Sequence, residues 1–175
     1  MIELKRLPLW VGPFNDVLDE MRRQKLEAEL GAEMIELKRL PLWVGPFNDV
    51  LDEMRRTPFD WKTNDCACKF AGRIVEVLTG ENIYAEFDGA YDDAESAYRV
   101  MRAAGFKDLA DMVAAYLPEY GHPSEAQIGD IMAIPTASAF VHGLGVLNGE
   151  RIFTLGESGI NHIDRSAATR AFRVG

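Results

Sequence analysis

Two residues of this chain could share a proton and use it. Trp61-x-x-Asn64-Asp65-Cys66 places a cysteine in the first turn of a predicted helix. Unpaired N–H groups and the helix dipole favour a thiolate there, while the neighbouring Asp65 opposes it. About sixty residues later, Gln127-Ile128-Gly129-Asp130-Ile131-Met132 reads as a turn into a strand, and His142-Gly143-Leu144-Gly145-Val146-Leu147 as a second strand carrying a histidine. A cysteine at a helix start facing a histidine on a sheet can form a thiolate–imidazolium pair, the nucleophile and base of acyl-transfer chemistry. Cys66 and His142 are therefore the candidate catalytic residues. The alternative reading of Cys66 is a small buried hydrophobe.

The other reactive side chains carry less. Cys68, two positions on, points away along the helix and is structural. Cys66 and Cys68 are too close to staple a fold, which suits a reducing compartment. No second Cys/His pair stands at usable spacing for zinc, and Asp88, Asp92, Asp93 and Glu95 lack the alternating ligands of a calcium loop. No metal and no cofactor is expected. His122 reads as a loop residue and His162 as an ordinary strand or turn histidine. Trp43, Phe59 and Trp61 read as packing anchors, or as a rim for a partner.

The elements that must position the pair can be read from periodicity. Asn64 or Asp65 caps a helix whose apolar positions Ala67, Phe70, Ala71, Ile74 and Leu78 follow helical spacing, and Gly80 ends it. Gly45-Pro46 reads as a break, with a short helix Asp49–Arg56 capped by Asn48. Further helices are expected over Asp92–Ala104 and Asp108–Leu117. The texture then changes to strands: Asp130–Pro135, Phe140–Leu147, a hairpin at Asn148-Gly149, Arg151–Leu155, Ile160–Asp164 and Ala171–Val174. Helices first and an antiparallel sheet after predict an α+β fold, with N-terminal helices packed on a small antiparallel sheet.

The chain of 175 residues suits one domain, and its net charge of −9 excludes nucleic acid as the main partner. The same charge disfavours an anionic membrane surface, and no apolar run approaches the ~20 residues of a membrane span. Residues 1–23 and 34–56 are the same 23-mer, MIELKRLPLWVGPFNDVLDEMRR. No folding requirement keeps every solvent-facing position identical, so 34–175 holds everything one α+β domain needs. Residues 1–33 are then a duplicated segment plus a helical linker, with one continuous helix expected over Asp16–Arg39. Loop-closure entropy favours docking of the nearer copy by roughly 1 kcal/mol. A spare copy that fits an occupied groove also opens a route to swapped oligomers.

Asp65-Cys66, Gly129-Asp130-Ile131 and His142 through Val146 resemble the motifs of the NlpC-type cell-wall peptidases. Those enzymes carry Asp-Cys before a helix, Gly-Asp-hydrophobic at a strand start and His-Val-Gly-Ile in the next strand. The chain also resembles an uncharacterised family of small domains from bacteriophage and prophage tail gene clusters. That resemblance rests on Leu40-Pro41-Leu42-Trp43, Pro58-Phe59-Asp60-Trp61, Asp65-Cys66-Ala67-Cys68-Lys69-Phe70-Ala71, Thr79-Gly80, Tyr91, Ala104-Gly105-Phe106-Lys107-Asp108-Leu109, Gly129-Asp130, Leu144-Gly145-Val146 and Phe172-Arg173-Val174. It covers about Leu40 to Gly175. The two resemblances imply a reduced papain-like (NlpC-like) domain and two readings of its role. One is a tail-tip or tail-assembly component with little or no hydrolytic activity, made in the bacterial host cytoplasm, carried in the virion tail and partnered by other phage tail proteins. The other is a cysteine hydrolase, a cell-wall amidase or endopeptidase acting on peptidoglycan peptide. If Gly145-Val146 takes the Gly-Ile place of the peptidase motif, His142 stands one residue early. One residue is a flip of face in a strand, so either a bulge returns His142 to the Cys66 side or the pair is not assembled. The residue that orients the imidazole has no clear match; Thr154 and His162 are the nearest in sequence.

Overall fold

The structure, a computed structural model, describes Met21, which is helical, and residues 36–175. The chain divides into two units, Met1–Ile35 and Glu36–Gly175, and the architecture below belongs to the second. Most of the helix expected over Asp16–Arg39 lies outside the described residues. Its end does not form, because residues 36–40 carry no helix.

The helix α1 spans Val44–Met54 and buries Phe47, Val50, Leu51 and Met54. It starts five residues earlier than the sequence predicts. Pro46 falls in its first turn, where a missing N–H has no intrahelical acceptor to lose, so the Gly-Pro pair opens the helix instead of breaking it. Cys66–Gly72 is π-helical and runs into α2, Arg73–Thr79. Gly80, at φ 85°, ends α2 in the left-handed conformation. Next come α3, Ala94–Ala103, capped by Asp93, and α4, Leu109–Ala114, capped by Asp108.

The strands are β1 (Ile131–Pro135), β2 (His142–Asn148), β3 (Arg151–Gly156), β4 (Gly159–Asp164) and β5 (Arg170–Phe172). They form one antiparallel sheet in the order β4-β3-β2-β1-β5. Helices and an antiparallel sheet in sequence give the α+β class expected from the texture of the chain. Residues directly opposite in an antiparallel ladder share a face. One face therefore carries Ala133, Leu144 and Arg170, and it meets α4, where Arg170 Nη1 donates to Asp111 Oδ1 at 2.8 Å. The other carries Met132, Leu147, Ile152 and Ala171, which pack with Ala126, Ala168 and the half-buried Tyr120.

The β1–β2 register runs unbroken from Ile131↔Val146 to Pro135↔His142. His142 therefore lies on the face of Leu144 and Val146, without a bulge. Asp130, at the entry to β1, is fully buried. Its carboxylate accepts from Arg39 Nη2 at 2.8 Å, Tyr120 Oη at 2.8 Å, the Gln127 N–H at 2.7 Å and the Val174 N–H at 3.0 Å. Gly129 holds φ 92° just before it, and a Cβ there would stand 2.7 Å from Leu78 Cδ2. The Gly-Asp motif is thus a structural joint, tying the segment before α1 and the C-terminal end to the sheet.

Candidate functional site

Asn64 and Asp65 build the start of the cysteine helix. Asn64 is buried and its Nδ2 donates to the carbonyls of Thr57 and Pro58 at 3.0 and 2.9 Å, which folds back the loop bearing Phe59 and Trp61. Asp65 takes extended backbone angles, and its Oδ1 accepts from the N–H groups of Ala67 and Cys68 at 2.8 and 2.7 Å. This cap satisfies two of the orphan donors of the helix start.

A cavity of about 610 Å³ lies over this helix end. Four successive residues, Asp65 to Cys68, border it, so it faces the first turn end-on and not along one side. This corrects the expectation that Cys68 points away: both cysteines reach the wall, and Cys68 Sγ accepts from the Tyr91 hydroxyl at 3.2 Å. Aromatic rings form much of the remaining wall. Trp61 stacks on Phe140 with centroids 5.3 Å apart, Phe59 meets Trp61 edge-on at 5.0 Å, and Tyr98 meets Phe140 edge-on at 5.9 Å. Phe59 and Trp61 therefore border the site, whereas Trp43 sits edge-on to Phe47 and under the Arg39 guanidinium.

His142 borders the same cavity although the β1–β2 ladder has no bulge, so, contrary to expectation, the one-residue offset from the peptidase motif does not turn it away from the Cys66 side. Its ring Nδ1 is 3.4 Å from Asp108 Oδ1, and Nε2 is 3.3 Å from Thr169 Oγ1. Asp108 and Thr169, not Thr154 or His162, flank the imidazole. Thr154 pairs with Gly145 on the opposite face, and His162 stacks on Phe153. Among the described residues no hydrogen bond joins Cys66 to His142. The structure brings the two side chains to one cavity; His142 Nε2 lies against Thr169, while Nδ1, 3.4 Å from Asp108 Oδ1, is buried and makes no hydrogen bond among the described residues.

The electrostatics of the helix start follow from burial. Burial pushes the Cys66 thiol up to about 11, against a hydrogen bond from the Leu144 backbone, and the Asp65 charge raises it further. Burial pushes Cys68 up to about 12, partly offset by the Tyr91 hydroxyl. Burial also raises the Asp65 carboxyl, against the N–H groups that donate to it. Both thiols are protonated at neutral pH. Replacing Asp65 by Asn keeps a capping oxygen and removes the charge beside the sulfur. Asp65→Asn is expected to change stability by no more than about 1 kcal/mol and to lower the titration midpoint of Cys66. Chemical denaturation and pH-dependent alkylation measure the two effects.

Asp108, read from sequence only as a helix start, is the neighbour of His142 that sequence reasoning missed. The Ala-Gly-Phe-x-Asp motif marked its position without giving its partner. Among the described residues no cluster of three or more His, Cys, Asp or Glu could hold a metal ion, and no helix is long and apolar enough to cross a membrane.

No curated protein matches the chain. Residues 38–174 match a family described as a domain of unknown function, DUF6950, and that span begins inside the second copy of the 23-mer. With the match covering most of the chain, the protein belongs to the DUF6950 family.

Proposed function

We propose that the protein is a tail-tip or tail-assembly component of a bacteriophage, built on a papain-like scaffold whose thiol is held at rest. The observation that carries the resting state is the helix start itself. The Cys66 thiol is protonated, the Ala67 and Cys68 N–H groups beside it donate to Asp65, and among the described residues His142 makes its one side-chain hydrogen bond to Thr169 and none to Cys66. The tail assignment is supported by the string of motifs from Leu40-Pro41-Leu42-Trp43 to Phe172-Arg173-Val174. Its partners are other tail proteins, and its place is the host cytoplasm during synthesis and the virion tail afterwards.

A phage carrying Cys66→Ala is expected to form tails and infect at the parental level, while deletion of the gene removes infectious particles. Loss of infectivity in Cys66→Ala, with tails assembled, would replace the scaffold reading by the hydrolase reading.

That second reading is favoured by one observation: Cys66 and His142 border a single cavity, with a carboxylate 3.4 Å from the imidazole. In it Cys66 attacks an amide carbonyl of peptidoglycan peptide, His142 takes the thiol proton and returns it to the leaving amine, and water releases the thioester. It requires a hydrogen bond between the imidazole and the sulfur, for which His142 Nδ1 is without a partner among the described residues.

A further inference from the structure

We propose that the cavity over the cysteine helix is a binding site for one uncharged small molecule with an aromatic or aliphatic body. The inference rests on the cavity alone and holds whether or not Cys66 reacts. At about 610 Å³ the space has the size of a small-molecule site. Its wall is almost wholly apolar. The Trp61–Phe140 stack, 26° from coplanar, provides a flat side. Met101 on α3 and Met112 on α4 provide deformable ones.

Charge selects further. No lysine or arginine lines the cavity, whereas Asp65 and Glu95 do. An anionic ligand would lose its hydration, a cost that a neutral one avoids, and find one basic side chain, His142, which already lies 3.4 Å from the Asp108 carboxylate. The site is therefore mismatched to phosphates, fatty-acid carboxylates and the free carboxylates of acidic peptides. An apolar body fits it.

N-phenyl-1-naphthylamine and 1-anilinonaphthalene-8-sulfonate share one fused-ring skeleton and differ by a sulfonate. Fluorescence titration of the full chain is expected to give saturable one-to-one binding of the neutral probe. The sulfonate should bind about tenfold more weakly or worse, as an unpaired buried anion requires. Ala97, buried on α3 and part of the wall, is the position to fill. Ala97→Phe is expected to lose the neutral probe by about tenfold or more, because the added ring takes up ligand volume. Where Ala97→Phe does not fold, judged by its melting transition, Val100→Phe on the same helix reads the same effect from a half-buried position. Non-saturating binding, equal affinity for the two probes, or unchanged affinity in a folded filled variant would each overturn the proposal.

Discussion

Iodoacetamide is expected to alkylate Cys66 with a rate that keeps rising through pH 9 and 10, toward a midpoint of about 11. At pH 8 only roughly one thiol in a thousand is then ionised, against about a quarter of a free cysteine, so the reaction is some two hundred-fold slower on ionisation alone. The cause is local. A thiolate at this helix start would be half-withdrawn from water and next to the Asp65 carboxylate. His142→Ala is expected to leave the midpoint where it is, because no hydrogen bond among the described residues joins the ring to the sulfur and the thiol is raised by burial and by Asp65. A midpoint below about 7 that rises in His142→Ala would mean that the two residues form an ion pair in solution, and the resting-state reading would fall. Global stability carries the same signature with a definite sign. Folding raises both thiols, Cys66 to about 11 and Cys68 to about 12. The benefit of burying them neutral is therefore complete below about pH 8.5 and declines as pH rises toward 11, where the unfolded chain ionises first. Urea melts between pH 8 and 11 measure that decline.

The local parts of this arrangement were legible in the sequence, and the parts that join distant segments were not. Asp65 as a cap, Gly80 as a stop, the hairpin at Asn148-Gly149 and the strand texture after Asp130 all follow from residue types that act on their own neighbours. Pro46 was misleading because its effect depends on whether it falls in the first turn or later, and element boundaries are the weakest part of any sequence reading. The π-helical start at Cys66 has no periodic signature short enough to detect. The face of His142 was open because a motif alignment cannot separate a one-residue slip from a bulge. The ladder from Ile131↔Val146 to Pro135↔His142 decides it. The approach of Asp108 to His142 joins residues 34 positions apart through tertiary packing that neither segment encodes alone.

Arg39→Ala is expected to destabilise the protein by about 3–5 kcal/mol, because it strips the buried Asp130 carboxylate of its only ion-pair partner among the described residues. Arg39 is such a junction. Its Nε donates to the Val174 carbonyl at 2.7 Å, Nη1 to the Ile128 carbonyl at 2.6 Å and Nη2 to Asp130 at 2.8 Å. Three acceptors, each met by a different guanidinium nitrogen, suit an arginine, and a lysine ammonium at the same place reaches fewer of them. Arg39→Lys is therefore expected to recover only part of the loss. In thermal melts the alanine variant should lose roughly 10 °C. The duplicated 23-mer supplies a control, since Arg6 holds in the first copy the place that Arg39 holds in the second. Arg6→Ala is expected to be neutral within about 0.5 kcal/mol, because Arg39 makes the contacts to Asp130, Ile128 and Val174. If instead Arg39→Ala is mild and only the double variant is severe, either copy can fill the groove. Two identical segments differ in nothing but the length of their tether, and a difference of roughly 1 kcal/mol in closure entropy is smaller than the loss of the Asp130 contacts. A damaged second copy would then yield its place to the intact first one, within the molecule or from a neighbouring one.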